Sequence, residues 1–201
     1  MARTGRYKVP FKRRREGKTD YALRRRMVIS RKPRVVIRRS NKNISLQLVT
    51  SHMEGDQTHA SASSYDLMKS FGWKGSTSNL PAAYLAGYLF GKRIMAKKVL
   101  KDEAAILDMG TQVKFYGSRI FTALKGVIDA GVDVTHSDKI FPPEERIRGE
   151  HIAAYAEQLA KEDPDRYNRI FSDYVKRKFK PEEIPSHFDE VKSNIDANAS
   201  K

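Results

Sequence analysis

The chain contains no cysteine. Disulfides, cysteine zinc sites and thiol nucleophiles are excluded with it, and the absence fits a reducing compartment. Tryptophan occurs once, at Trp73. No apolar run approaches the roughly 18 residues of a membrane span. The basic N-terminus is followed by no apolar core, so it does not read as a secretory signal. The expectation is a soluble cytoplasmic protein. Acidic side chains are scarce in one place only: residues 1–42 hold 17 Lys and Arg against Glu16 and Asp20. The other 159 residues hold 22 of each sign, so the whole formal charge of +15 sits in the first fifth of the chain.

Charge kept for solubility would spread over the surface, whereas charge packed into one terminal segment points to a polyanion. Arginine outnumbers lysine 12 to 5 in this segment, and Tyr7, Phe11 and Tyr21 lie between the cations. Guanidinium groups pair with phosphate bidentately and stack on bases, which suits folded RNA better than a membrane surface. An arm this charged is expected to be disordered alone and to order on RNA.

Catalytic chemistry finds little support. Gly87 to Arg93 has only three residues between its glycines, and Arg93 stands where a phosphate loop needs Ser or Thr. Close helix packing through Gly87 and Gly91 is the expectation. His52, His59, His136, His151 and His187 form no i, i+4 metal pair. Asp66, Asp108 and Asp129 would have to converge to hold a nuclease metal. Ser118 lacks the Gly-x-Ser-x-Gly elbow. Tyr84 and Tyr88 read as core, and Trp73 either stacks on a base or packs beneath its Gly/Ser loop. No enzyme, metal, cofactor or small-molecule substrate is expected.

Three segments are expected: a basic RNA-binding arm over 1–33, an α/β core over 34–140 and a helical extension over 141–201. The arm holds a short helix near Thr19–Met27, capped by Thr19 or Asp20. Pro33 favours extended backbone. Strands follow over 34–40 and 44–50, joined by Ser40-Asn41-Lys42-Asn43, with a weaker one over 58–64. A helical turn or two over 65–71 precedes a buried helix opened by Asn79-Leu80-Pro81. A strand over 104–108 and a helix from Ser118 to Gly131 complete a β-β-β-α-β-α core with a mixed sheet and packed helices. Amphipathic helices after residue 143 dock on this core or on a neighbour.

At this point the residues resemble a known family. Gly5-Arg6-Tyr7-Lys8-Val9-Pro10 and Arg13-Arg14-Arg15-Glu16-Gly17-Lys18-Thr19-Asp20-Tyr21 are similar to the opening of the archaeal and eukaryotic ribosomal proteins of the L-eighteen family. Asn79-Leu80-Pro81-Ala82-Ala83-Tyr84-Leu85-Ala86-Gly87, Asp129-Ala130-Gly131 and Pro185-Ser186-His187-Phe188-Asp189 extend the likeness along the chain. The long basic C-terminal extension of eukaryotic members is missing, which points to an archaeal-type version. The resemblance implies an α/β core like that of the small-subunit S-eleven family. It also implies a structural role in the central protuberance of the large ribosomal subunit. There the protein would hold 5S rRNA against the large rRNA beside the L-five family protein, without catalysis, membrane or cofactor. Carried onto this sequence, the RNA contacts are expected at Arg3, Arg6, Tyr7, Lys8, Lys12, Arg13, Arg14, Arg15, Lys18, Tyr21, Arg24, Arg25 and Arg26. They continue on the first hairpin through Arg38, Arg39, Ser40, Asn41 and Lys42. Two other readings stand beside it: a free-standing RNA-binding regulator or chaperone, and a metal-dependent RNA-processing enzyme using Asp66, Asp108 and Asp129.

Overall fold

The computed structural model describes residues 5, 6, 8–97, 100 and 104–198. The arm carries two helices, α1 (Lys12–Arg15) and α2 (Tyr21–Ile29). Asp20 caps α2 by accepting from the N–H groups of Ala22 and Leu23 at 2.9 and 3.1 Å, which leaves Thr19 out of that role. After Pro33 the chain enters β1 (Arg34–Arg39), turns through Ser40, and returns as β2 (Ile44–His52) and β3 (Gly55–Ser63). The Ser40 hydroxyl accepts from the Asn43 N–H at 2.9 Å and closes the turn. A bulge at Leu48 and Val49 interrupts the β2–β3 ladder. The third strand begins three residues before the expected start, because Gly55, Asp56 and Gln57 pair with His52, Ser51 and Thr50.

Ser63 and Asp66 form a reciprocal cap at the start of α3 (Ser64–Ser70). Asn79 accepts from the Ala82 N–H at 2.9 Å and starts α4 (Leu80–Lys97). The chain then makes β4 (Ile106–Asp108) and α5 (Arg119–Asp129). The sheet order is β3-β2-β1-β4, with β4 parallel to β1 and the other pairs antiparallel. This is the expected mixed sheet of an α/β protein. The fourth strand is shorter than expected, and Ala105 pairs instead with Val134.

Val35, Ile37, Ile44, Leu46 and Leu48 alternate onto one face of the sheet and are fully buried beneath α4 and α5. The two helices meet through glycine. A Cβ on Gly87 would collide with the Ala123 carbonyl, and one on Gly126 with the Tyr84 carbonyl. Gly91 is closed off by the Ala130 methyl at 2.5 Å. The glycines of the false phosphate loop thus serve helix packing, as expected.

The C-terminal segment continues as α6 (Glu144–Arg148), α7 (Glu150–Glu162), α8 (Pro164–Ile170), α9 (Ser172–Lys176) and α10 (Ile184–Asn198). Docking on the core was one of the two options left open by its sequence, and the last helix packs there. Ile184, Phe188, Val191 and Ile195 join the main cluster against α4. The Tyr88 hydroxyl donates to Asp196 at 2.7 Å, and Phe188 lies 5.5 Å from the Tyr84 ring. Ala156, Leu159 and Phe171 form a smaller cluster between α7 and α8. Tyr167 packs against it and hydrogen-bonds Glu182, its hydroxyl pKa pushed up to about 12 by burial and by that carboxylate.

The glycine contact sets a first prediction. Gly87→Ala pushes α4 against backbone of α5, where nothing can rotate away. Overpacking of this kind costs about 3 kcal/mol, which for a chain of this size is a fall in Tm of about 6–12 °C. A Tm within about 2 °C of the parent would show that the two helices do not touch here.

Candidate nucleic-acid interface

The second face of the sheet is polar. Because Val35 and Ile37 turn toward the helices, Arg34, Val36 and Arg38 turn the other way. The parallel register sets Asp108 opposite Val36, between the two arginines. One carboxylate therefore serves both guanidinium groups. Arg34 approaches Asp108 at 3.4 Å and Arg38 at 2.8 Å. Arg38 also donates to the Asp108 carbonyl at 2.6 Å. Arg34 is 2% exposed, and its other terminal nitrogen meets Asp56 at 2.9 Å and the Ser51 hydroxyl at 3.0 Å. Arg34 Nε is buried without a partner among the described residues.

Asp56 carries the network outward. It pairs with Arg24 of α2 at 2.7 Å. Met27, one turn on, is buried. Leu23 and Met27 line a cavity of about 110 Å³ together with Arg38, Asp108 and Gly110. The arm expected to order only on RNA is thus fastened to the core through α2. Burial works against the Asp56 carboxylate, but hydrogen bonds from Arg34, Ser51 and Arg24 and the Arg34 charge hold its pKa below the ordinary value.

The expected contact residues divide into two groups. Arg24 and Arg38 are held by carboxylates, Lys18 by Glu16 at 2.9 Å, and Arg13 by the Thr19 hydroxyl at 2.9 Å. Ser40 shapes its own turn. Arg6, Lys8, Lys12, Arg14, Arg15, Arg25, Arg26, Arg39 and Lys42 are exposed, and among the described residues none has an acidic partner. Asn41 is exposed beside Lys42 at the hairpin tip, and Tyr21 is half-buried, 5.3 Å from the Phe11 ring. Arg3 and Tyr7 lie outside the described residues.

Around this surface the remaining candidates resolve into structure. Trp73 is 1% exposed, stacks on His187 at 5.3 Å and donates to the Ser76 carbonyl at 3.0 Å. It packs under its loop and presents no face to a base. Tyr84 and Tyr88 are buried as expected, with the Tyr84 hydroxyl on Asp129 at 2.8 Å. The three carboxylates of the nuclease alternative do not converge. Asp66 pairs with Arg93, Asp108 with Arg34 and Arg38, and Asp129 with Lys125 and Tyr84. Each already balances a cation or hydroxyl of its own neighbourhood.

The comparisons with known proteins agree with the sequence and the fold. Residues 5–105 match the family described as ribosomal large subunit proteins 60S L5 and 50S L18. The chain is 50% identical to the large ribosomal subunit protein uL18 of Caldivirga maquilingensis over 97% of its own length and 93% of the relative's. It is 49% identical to uL18 of Aeropyrum pernix, over 98% and 90% of the two chains. The chain belongs to the uL18 family. Membership in uL18, of the archaeal and eukaryotic type, makes it a structural protein of the large ribosomal subunit with ribosomal RNA as its partner, and not an enzyme.

What sequence reasoning missed is the division among the arginines. An ordinary aspartate titrates near 3.8. Because the folded Asp56 value lies lower, its stabilisation is complete above that pH and is lost as pH falls through the folded value. The Met27 methyl resonance should therefore shift to an exposed position as pH drops below about 4. Asp56→Asn should show part of that shift at neutral pH. A Met27 resonance that ignores both changes would contradict the anchoring of α2.

Proposed function

We propose that this uL18 chain binds 5S rRNA and holds it against the large rRNA in the central protuberance, beside the L-five family protein, in cytoplasmic ribosomes. The arm over 1–33 and the first hairpin supply the contacts, while the core over 34–140 and the helices of 141–201 supply the platform. The observation that carries this reading is the set of exposed cations on α1, α2 and the hairpin tip that no carboxylate of the described residues neutralises. Such cations release condensed counterions from phosphates, giving affinity with a steep salt dependence. Specificity then comes from RNA shape and from arginine or tyrosine stacked on unpaired bases.

The test is binding of the full chain to 5S rRNA against tRNA of similar size over a salt series. The proposal expects a preference for 5S rRNA that survives physiological salt. Equal affinities lost together as salt rises would leave counterion release alone and overturn it. Among variants, Arg25→Ala with Arg26→Ala should flatten the slope of log K against log salt by about 2, with Tm nearly unchanged. Arg38→Ala should instead lower Tm and leave the slope within about 0.5 of the parent. Truncation at residue 26 would remove the Asp20 cap and Arg24 with the cations. Removing residues 1–19 separates the two roles: the core stays folded, α2 stays docked and most RNA affinity goes.

A further inference from the structure

Between β4 and α5 the chain crosses a loop, residues 109–117, that carries an aromatic pair in open solvent. Phe115 is 62% exposed and Tyr116 80%. The loop is held at both ends. The Gly110 N–H donates to the Asp108 carboxylate at 2.8 Å, and the Gly117 N–H to the Ile140 carbonyl at 2.9 Å. Both glycines have positive φ, +66° and +67°, a conformation that costs an L side chain energy and glycine almost none. In the middle, Gln112 exchanges two hydrogen bonds with Arg39, at 2.7 and 3.3 Å. A loop so fastened presents its rings in a fixed place. Adjacent exposed rings on a folded chain mark a binding surface.

The surroundings say what binds. Lys114 precedes the pair, Arg39 is tied to the loop through Gln112, and Arg119 opens α5 two residues after Gly117. No carboxylate pairs with any of the three among the described residues. Arg119 is half-buried and donates to the Ser78 carbonyl at 2.9 Å, and its pKa is lowered by burial and by the nearby charge of Arg39. Exposed π faces on a loop that carries Lys114, is tied to Arg39 and leads into Arg119 are complementary to a base carried on a phosphate backbone. An acid-free protein partner would leave those cations opposed by nothing.

We infer that Phe115 and Tyr116 form a stacking platform for unpaired rRNA bases, with Arg39, Lys114 and Arg119 receiving the flanking phosphates. This rests on the RNA-binding reading above and extends the interface from the hairpin onto the α5 side of the core. The platform reads no particular base, because every base has a π face.

The experiment compares the full chain with a Phe115→Leu, Tyr116→Leu variant and a Phe115→Trp, Tyr116→Phe variant. Binding is measured to 5S rRNA and to large-subunit rRNA fragments across a salt series, with Tm as the folding control. Stacking on one or two bases corresponds to about 10- to 100-fold in affinity. The leucine variant should lose that much on at least one RNA with an unchanged salt slope, since no charge is removed. The aromatic variant should bind like the parent. A leucine variant that binds both RNAs as tightly as the parent overturns the inference and leaves the loop as a protein contact. Equal loss in both variants also overturns it. If the parent itself binds neither RNA at physiological salt, the RNA-binding reading fails, and the platform with it.

Discussion

Arg34 sits 2% exposed on the polar face of the sheet, and the arrangement of that face follows from satisfying its charge. Taking a guanidinium out of water costs several kcal/mol unless carboxylates accompany it. The two that do come from distant parts of the chain, Asp108 at the end of β4 and Asp56 at the start of β3. Each then recruits a second arginine, Arg38 and Arg24. The result is a cluster of three guanidinium groups and two carboxylates linking β1, β3, β4 and α2. It ties α2 to the last strand of the sheet. Removing either carboxylate leaves a buried cation underpaired, which is the costly way to break such a cluster.

The same cluster explains how a segment with a net charge of +15 lies beside a core with none. A few arginines are used inward, as fasteners. Arg25 and Arg26 face outward from α2, whose position they do not have to maintain. An arm already docked gives up less conformational freedom on binding than a free one, so more of the phosphate attraction appears as affinity. Membership in uL18 fixes ribosomal RNA as the partner. The geometry adds a shaped surface, on which Arg39 ties the end of the first hairpin to the aromatic loop through Gln112.

Much of the fold was legible because its signals are local. The β-branched run after Pro33, the alternation of 44–50, the Asn79-Leu80-Pro81 helix start and the apolar length of α4 each depend on neighbouring residues. A mixed sheet with packed helices was expected from the same signals, whereas the place of β4 beside β1 was not. What was not legible depends on register and distance. Nothing in Arg38 by itself distinguishes it from Arg39. Alternation puts Arg38 on the polar face, and it is paired there only because a three-residue parallel strand places Asp108 opposite Val36. Arg24 and Arg25 are likewise adjacent in sequence and opposite in role, decided by a carboxylate 32 residues away. The destination of Trp73 depended on His187, from a helix near the far end of the chain. Phe115 and Tyr116 were not among the expected contacts, because their exposure is a tertiary fact.

The central claim is that α2 is held on the sheet by the Arg34 cluster before any RNA arrives. Amide hydrogen exchange of residues 22–29 in the free protein tests it most directly. Protection within about tenfold of that in β1, changing little when 5S rRNA is added, is what the account predicts. Exchange at the rate of an open chain, with protection appearing only on RNA, would contradict it.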